Sequence, residues 1–222
     1  MPGGSAHCNP DAGQLQFLIN NRHFEAGLIK PLQKAKDIFV FGSTVALRVS
    51  DLFAIKFSDI ECMGTYYYLP VKTIKTGTHV RIKLPTYAVE IIEKFRSNAR
   101  GRKTVFPPVP RTRFNNQLKA IAEMAGWINY TGRMRTKRGI PVKSKGKANK
   151  DLYRFCDLVS SHTMRRTAIT TMLMLGMKEH VVRKISGHAD NSKSFYRYVN
   201  LVQSYMDNEM DEVFGKLALS CG

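Results

Sequence analysis

Apolar residues in this 222-residue chain recur at three- and four-residue spacing almost throughout, and alternate with polar ones in only one stretch, Thr65 to Leu84. That single change of period confines the chain to a mainly α fold with one small antiparallel β-hairpin or sheet, an α+β arrangement. Within the stretch, Val80, Ile82 and Leu84 share a face, basic residues share the other, and Gly77 sits in the turn. Helical spacing predicts a short helix over Gln14–Asn21 and a longer one from Pro31 through Leu32, Ala35, Ile38, Phe39 and Gly42. Ser50 is expected to cap a short helix with Asp51 in its first turn. Further helices are expected over Tyr87–Arg96, around Phe114, Leu118, Ile121 and Ala125, and from His162 to Leu175, capped by Ser160 or Ser161 and ended by Gly176. Glu179–Ile185, the stretch through Phe195 and Val199, and an acidic amphipathic run from Val202 to Leu217 complete the pattern. Trp127 is expected to pack at a helix end, and Met172-Leu173-Met174-Leu175 to be core.

The chain is long enough for one domain with a substantial core. Its formal charge of +18 calls for a polyanionic partner. Nucleic acid fits best, because dense phosphates reward many Lys and Arg contacts through counterion release. No long apolar run, signal peptide or lipidation motif points to a membrane. The charge is concentrated: between Arg100 and Lys150 stand fourteen Lys or Arg and one acid, Glu123. Residues 131–150 read as a mobile loop or a loose hairpin, ordered mainly on DNA. Cys8, Cys62, Cys156 and Cys221 are scattered without a CxxC pair, as free thiols of a reducing compartment would be. No metal or other cofactor is expected.

Six residues carry the chemistry: Arg48, Lys75, His162, Arg165, His188 and Tyr198. His162 and Arg165 are three apart in a first helical turn, so they share a face beside the N–H groups of a helix N-terminus. A guanidinium there can grip two phosphate oxygens at once. Ser186-Gly187-His188 puts an imidazole at a chain reversal 26 residues after His162, and Phe195-Tyr196-Arg197-Tyr198-Val199 brings two tyrosines near it. Taken singly, these motifs also describe a basic helix start and a C-cap glycine before a surface histidine. Together they suit attack by a tyrosine hydroxyl on a phosphodiester, with protein cations absorbing the developing charge. His23, His79 and His180 lack such context.

The runs Ser161-His162-Thr163-Met164-Arg165-Arg166, Ile185-Ser186-Gly187-His188 and Phe195-Tyr196-Arg197-Tyr198-Val199 resemble the C-terminal boxes of the tyrosine recombinases, the phage integrase family, and are most similar to Bacteroides-type mobile-element integrases. Leu47-Arg48-Val49-Ser50-Asp51-Leu52 resembles the family's first box, and Lys75-Thr76-Gly77 its hairpin lysine. The resemblance spans residues 32–205. It implies a tyrosine recombinase catalytic domain fold and a site-specific DNA recombinase acting through a 3′-phosphotyrosyl intermediate without metal or ATP. Tyr198 would be the nucleophile. Arg48 and Arg165 would clamp the phosphate, and His188 would donate to it. Lys75, with Lys72 as runner-up, would protonate the leaving 5′-oxygen, and His162 would assist proton transfer. Asp51 either holds Arg48 or is a plain helix N-terminal acid.

Two departures stand out. Ala46 replaces a common glycine, and Tyr198 lies ten residues after His188 where nine is usual, which sets Tyr196 in competition with it. Lys72, Arg81, Lys83, Arg133, Arg135, Lys137, Arg138 and Arg166 are expected DNA contacts. The expected layout is a tag-like or disordered start at 1–13, opening Met-Pro-Gly-Gly-Ser, a catalytic domain at 14–205, and a C-terminal helix or tail at 206–222 that exchanges between protomers or docks on its own domain. The family's N-terminal DNA-clamping domain is expected to be missing. Expected partners are double-stranded recombination sites, a homo-tetramer on DNA (a monomer without it) and accessory DNA-bending proteins, in a bacterial cytoplasm. A type IB topoisomerase-like strand cleavage and a non-catalytic DNA-binding module are the alternatives.

Overall fold

The computed structural model describes residues 10–72, 79–132, 134–137, 140–143, 152–189 and 192–219. In chain order these form α1 (Ala12–Asn20), α2 (Arg22–Gly27), α3 (Lys30–Val45), α4 (Val49–Ala54), β1 (Glu61–Met63), β2 (Tyr66–Lys72), β3 (His79–Leu84), α5 (Thr86–Arg96) and α6 (Arg111–Met124). There follow β4 (Tyr130–Gly132), β5 (Met134–Lys137), β6 (Ile140–Lys143), β7 (Leu152–Arg154), α7 (Phe155–Leu158), α8 (Ser161–Met174), α9 (Glu179–Ser186) and α10 (Lys193–Leu219). The mainly helical reading holds, and the expected hairpin lies in a small antiparallel sheet, with two further two-stranded pairs, β4-β7 and β5-β6, later in the chain. The sheet gains an edge strand that its exposed residues hid from sequence reasoning: the order is β1-β2-β3, all antiparallel.

The domain is built around α3. Pro31 opens that helix, and ten of its residues are buried, from Ala35 to Val45. It packs against α1, α5, α6 and α8. Such a helix has no solvent stripe along its second half, so the apolar pattern is nearly continuous there. Phe41, Phe53, Phe95, Phe106 and Phe114 stack edge-to-face across its neighbours, a geometry aromatic quadrupoles favour.

α3 and α8 approach closely at Gly42. A Cβ added at Gly42 would stand 2.7 Å from Met164 Sδ, 3.2 Å from Met164 Cβ and 3.1 Å from Leu52 Cδ2. Met164 is fully buried, so its side chain has nowhere to retreat. Gly42→Ala is expected to destabilise by about 1–2 kcal/mol, overpacking outweighing the roughly 1 kcal/mol gain in helix propensity. Thermal unfolding would register that as a fall of several degrees in Tm.

A buried ionic network joins α2, α3 and α5. Lys36 Nζ lies 2.7 Å from Glu25 and 3.0 Å from Asp37, and Lys94 Nζ bridges Asp37 at 2.7 Å and Glu25. Lys36 and Asp37 are almost fully buried. Burial acts to raise the Glu25 pKa, but Lys36 and Lys94 outweigh it and hold the carboxyl below its usual range. Burial acts to lower the Lys94 pKa, and Asp37 and Glu25 reverse that, so its ammonium titrates above its ordinary value. The lowered carboxyl stabilises the fold above its unfolded pKa, and that contribution is lost as pH falls below about 4. The raised ammonium stabilises below its unfolded pKa, and that contribution is lost as pH climbs past about 10.5. Asp37→Asn, which leaves Lys36 and Lys94 to share Glu25 alone, is expected to cost about 2 kcal/mol and to lower Tm by several degrees.

Several local expectations change. Arg48, not Ser50, is the N-cap of α4, and Ser50 lies inside the first turn beside Asp51. Leu175 is exposed, because α8 ends at Met174, while Met172 and Leu173 pack on the core. The basic segment takes the hairpin alternative where it is described: β5 pairs with β6, and β4 pairs with β7. Trp127 does pack after a helix end, its N–H bonded to Ala122 O and its ring against Phe155. α10 runs unbroken through the expected division at 205/206. Among the described residues no helix is long and apolar enough to cross a membrane.

Candidate active site

Five of the six residues expected to carry the chemistry converge although up to 150 positions separate them in sequence. Arg48, His162, Arg165, His188 and Tyr198 line one cleft of about 420 Å³, together with Arg166, Ser194, Arg197 and Leu201. The sixth, Lys75, lies outside the described residues, as does the hairpin turn with Gly77.

Arg48 reaches the cleft because α3 stops one turn earlier. Ala46 caps α3 in the left-handed region, with φ 56° and ψ 19°. That conformation costs a residue with a Cβ about 1 kcal/mol, which explains why glycine suits the position. The chain reverses there, Leu47 is buried, and Arg48 emerges at the head of α4. The Ala46 carbonyl, freed from the helix, accepts a hydrogen bond of 2.8 Å from Arg165 Nη1. The first box and the second arginine are thus locked together by backbone geometry.

Arg165 is the electrostatic centre. It is buried, and among the described residues no carboxylate lies within ion-pair distance of it or of Arg48. Burial first, and then the neighbouring Arg48 charge, pull its pKa down to about 10, against the fields of Tyr198 and Asp51. A desolvated cation without a counter-ion is a site prepared for an external anion. Asp51 makes no ion pair with Arg48 and acts as an acid of the first turn of α4 whose field reaches Arg165.

α8 begins at a defined point. Ser160 is its N-cap, with the Ser160 N–H donating to Thr163 Oγ1 at 3.0 Å, and Ser161 N–H donates to Asn115 Oδ1 from α6 at 2.8 Å. His162 follows in the first turn, one edge to solvent and one to the cleft. Loss of solvent on the cleft side, then Arg166, Arg165 and Arg111, push its pKa below the ordinary imidazole value. His162 is therefore neutral at pH 7 and able to accept a proton.

His188 follows Gly187, which ends α9 in the left-handed region at φ 61°. The His188 N–H closes the turn on Arg183 O at 3.0 Å. Its ring meets Ser186 Oγ at 2.8 Å through Nδ1 and stands edge-on to Phe195 and Tyr198, at 5.4 and 6.0 Å between centroids. Arg165 Nη2 is 3.4 Å from both ring nitrogens.

Tyr198 is placed by the second apolar cluster, in which Ala46, Ala168, Ile169, Val182 and Phe195 are fully buried and Tyr198 and Val199 pack on top. Ser194, Tyr198 and Leu201 stand at i, i+4 and i+7 on the cleft face of α10. Tyr196 is half a turn away. It is 49% exposed, with the Arg183 guanidinium 4.8 Å over its ring.

The expected DNA contacts divide. Arg166 lines the cleft. Arg81 pairs with Glu61 and stacks on Tyr68, and Lys83 stacks on Tyr66 at 3.5 Å, all on the exposed face of the sheet rather than in the cleft. Lys72, Arg135 and Lys137 have described backbones in β2 and β5 only, and Arg133 and Arg138 lie outside the described residues. Sequence reasoning missed Arg197, Ser194, Leu201 and the field of Arg111. Helical spacing around Tyr198 carried the signal for the first three.

A helical domain holding a cleft of cations around one phenol defines the class, and sequence comparison places the chain in it. The model of the phage integrase family matches residues 34–204, and the chain belongs to that family. A search of curated proteins found no match. Among solved structures, the chain is similar to the XerH site-specific recombinase bound to palindromic difH substrate in a post-cleavage complex, with a TM-score of 0.62 at 11% identity over 91% of this chain and 52% of that one. It is also similar to a lambda integrase dimer bound to a COC′ core site, with a TM-score of 0.54 at 15% identity over 86% of this chain and 47% of that one. A Tn1549 transposon integrase in complex with circular intermediate DNA gives 0.54 at 15% identity over 86% and 60%. The fold is that of a tyrosine recombinase catalytic domain. The chain spans about half the length of the XerH and lambda integrase chains.

Proposed function

We propose that this chain is the catalytic domain of a site-specific DNA recombinase of a mobile genetic element, cleaving and rejoining duplex DNA through a 3′-phosphotyrosyl link. The observation that carries the reading is the buried Arg165, without a carboxylate partner, facing a cleft shared with Arg48, His188, His162 and Tyr198. The scissile phosphate takes the place of the missing counter-ion. Tyr198 attacks phosphorus, and its phenolic proton passes to neutral His162 or to water. Arg48 and Arg165 hold the non-bridging oxygens as charge grows on them, the stage at which fixed donors lower the barrier most. Lys75 gives a proton to the departing 5′-oxygen. The tyrosyl ester keeps the bond energy of the phosphodiester, so a 5′-hydroxyl of another strand can reverse the step without ATP.

A library of nicked duplexes with a randomised core tests this. A covalent protein–DNA adduct is expected in the presence of a chelator, because the charge is met by side chains. Absence of any adduct across the library would sink the proposal. Strand exchange between two marked sites then separates recombination from topoisomerase-like relaxation.

α10 supports assembly on DNA, as a homo-tetramer in this reading. Met206, Met210 and Phe214 recur every four residues and are each more than half exposed, with Asp207 and Asp211 beside them. An exposed apolar stripe of this kind suits a neighbouring protomer. Removing the residues after Leu201 would leave solution size unchanged if the helix serves only its own domain.

A further inference from the structure

Ser186 has no role in the chemistry so far, yet it is 1% exposed and touches the cleft histidine. Its Oγ lies 2.7 Å from Val182 O, 3.3 Å from Arg183 O and 2.8 Å from His188 Nδ1. A serine has one proton. An oxygen–oxygen approach of 2.7 Å to a carbonyl needs that proton between the two atoms. Oγ therefore donates to Val182 O and has only lone pairs left for His188. The bond to the ring must be Nδ1–H donating to Oγ. Arg165 Nη2 stands 3.4 Å from both ring nitrogens and can only donate, so with the proton on Nδ1 the one lone pair that it can meet is that of Nε2.

We propose that Ser186 is a positioning residue that fixes His188 as the Nδ1–H tautomer, so that Nε2 donates to a phosphate oxygen only when the ring is an imidazolium. A neutral Nδ1–H imidazole presents a lone pair at Nε2, which repels an anionic oxygen. Donation from Nε2 requires a second proton, taken from water. The groups around His188 oppose that in the free protein: Arg165, His162 and Arg166 on α8, Arg48 at the head of α4 and Arg197 on α10 are cationic or neutral, and Tyr198 is a phenol, while of the nearby acids Glu179 on α9 pairs with Arg183 and the field of Asp51 on α4 falls on Arg165. An arriving phosphodiester reverses the balance, so proton uptake by His188 accompanies DNA binding. The role at the phosphate rests on the recombinase reading. The tautomer does not.

The test has two arms. In 15N-histidine spectra of the free protein above pH 8, assigned with His188→Gln, His188 is expected as the Nδ1–H tautomer. Ser186→Ala should convert it largely to Nε2–H, and Ser186→Thr, which restores a hydroxyl, should keep Nδ1–H. Finding Nε2–H in the unaltered protein, or no change in Ser186→Ala, overturns the proposal without reference to DNA. In the second arm, covalent capture by the unaltered protein should fall about tenfold per pH unit on its alkaline side. Ser186→Ala, whose neutral ring already donates from Nε2, should show a limb at least about threefold shallower per unit. Identical limbs overturn the imidazolium donor. No adduct from any variant rejects the recombinase reading, while the spectra still decide the tautomer.

Discussion

Replacing Tyr198 by phenylalanine is expected to abolish covalent capture, a loss of at least about 10⁴-fold, since no second nucleophile stands at the phosphate. Folding should be untouched. The ring packs on Phe195 and beside His188, at 6.3 and 6.0 Å between centroids, and phenylalanine keeps both contacts. Removal of one half-buried hydroxyl falls within about 0.5 kcal/mol. Tyr196→Phe is the control. Tyr196 points away from the cleft under Arg183, so capture should stay within about threefold of the unaltered protein. An adduct that survives Tyr198→Phe and disappears with Tyr196→Phe would reverse the assignment and mean that α10 turns about its axis on DNA.

Arg165→Met should separate stability from activity. Capture is expected to fall by about 10²–10³-fold, the usual cost of losing a fixed donor at a developing oxyanion. Stability should hardly change. The pKa of about 10 means that burying this charge costs the fold on the order of 3 kcal/mol near neutral pH. Methionine removes that cost, but leaves the Ala46 carbonyl without its donor, a penalty of about 1–3 kcal/mol. The two nearly cancel, with a slight gain the expected outcome, readable as a Tm that stays level or rises by a few degrees. The sign also follows from proton linkage. The folded state holds the Arg165 proton less tightly than the unfolded chain does, so the penalty is constant at neutral pH and eases only above pH 10. A large fall in Tm would mean that the tie from Arg165 to the Ala46 carbonyl outweighs the cost of burying the charge.

Much of the site could be read in the sequence because its parts are short local motifs. His162 and Arg165 share a turn, Gly187 breaks a helix ahead of His188, and Tyr198 follows an apolar anchor, Phe195. Each signal is carried within a few residues by helical spacing or by a backbone angle that glycine favours. Edge strand β1 escaped because all three of its residues are exposed and show no alternation. The α4 cap was misplaced because serine is a better intrinsic cap than arginine, yet the αL turn at Ala46 fixed where the helix starts. The neighbours of Arg81 and Lys83, namely Glu61, Tyr66 and Tyr68, were set by the sheet register and could not be read from the sequence.

The sequence by itself determined the helical class, the β2-β3 hairpin and the side-chain types available to the cleft, since these follow from period, turn chemistry and side-chain type along a few residues. Only the tertiary structure decided which cation is desolvated, which tyrosine faces the cleft and which nitrogen of His188 meets its serine. Those depend on the close approach of α3 and α8 at Gly42 and on a carbonyl set free at Ala46. Desolvation and hydrogen-bond direction are properties of a three-dimensional neighbourhood, and residues 119 positions apart create it together.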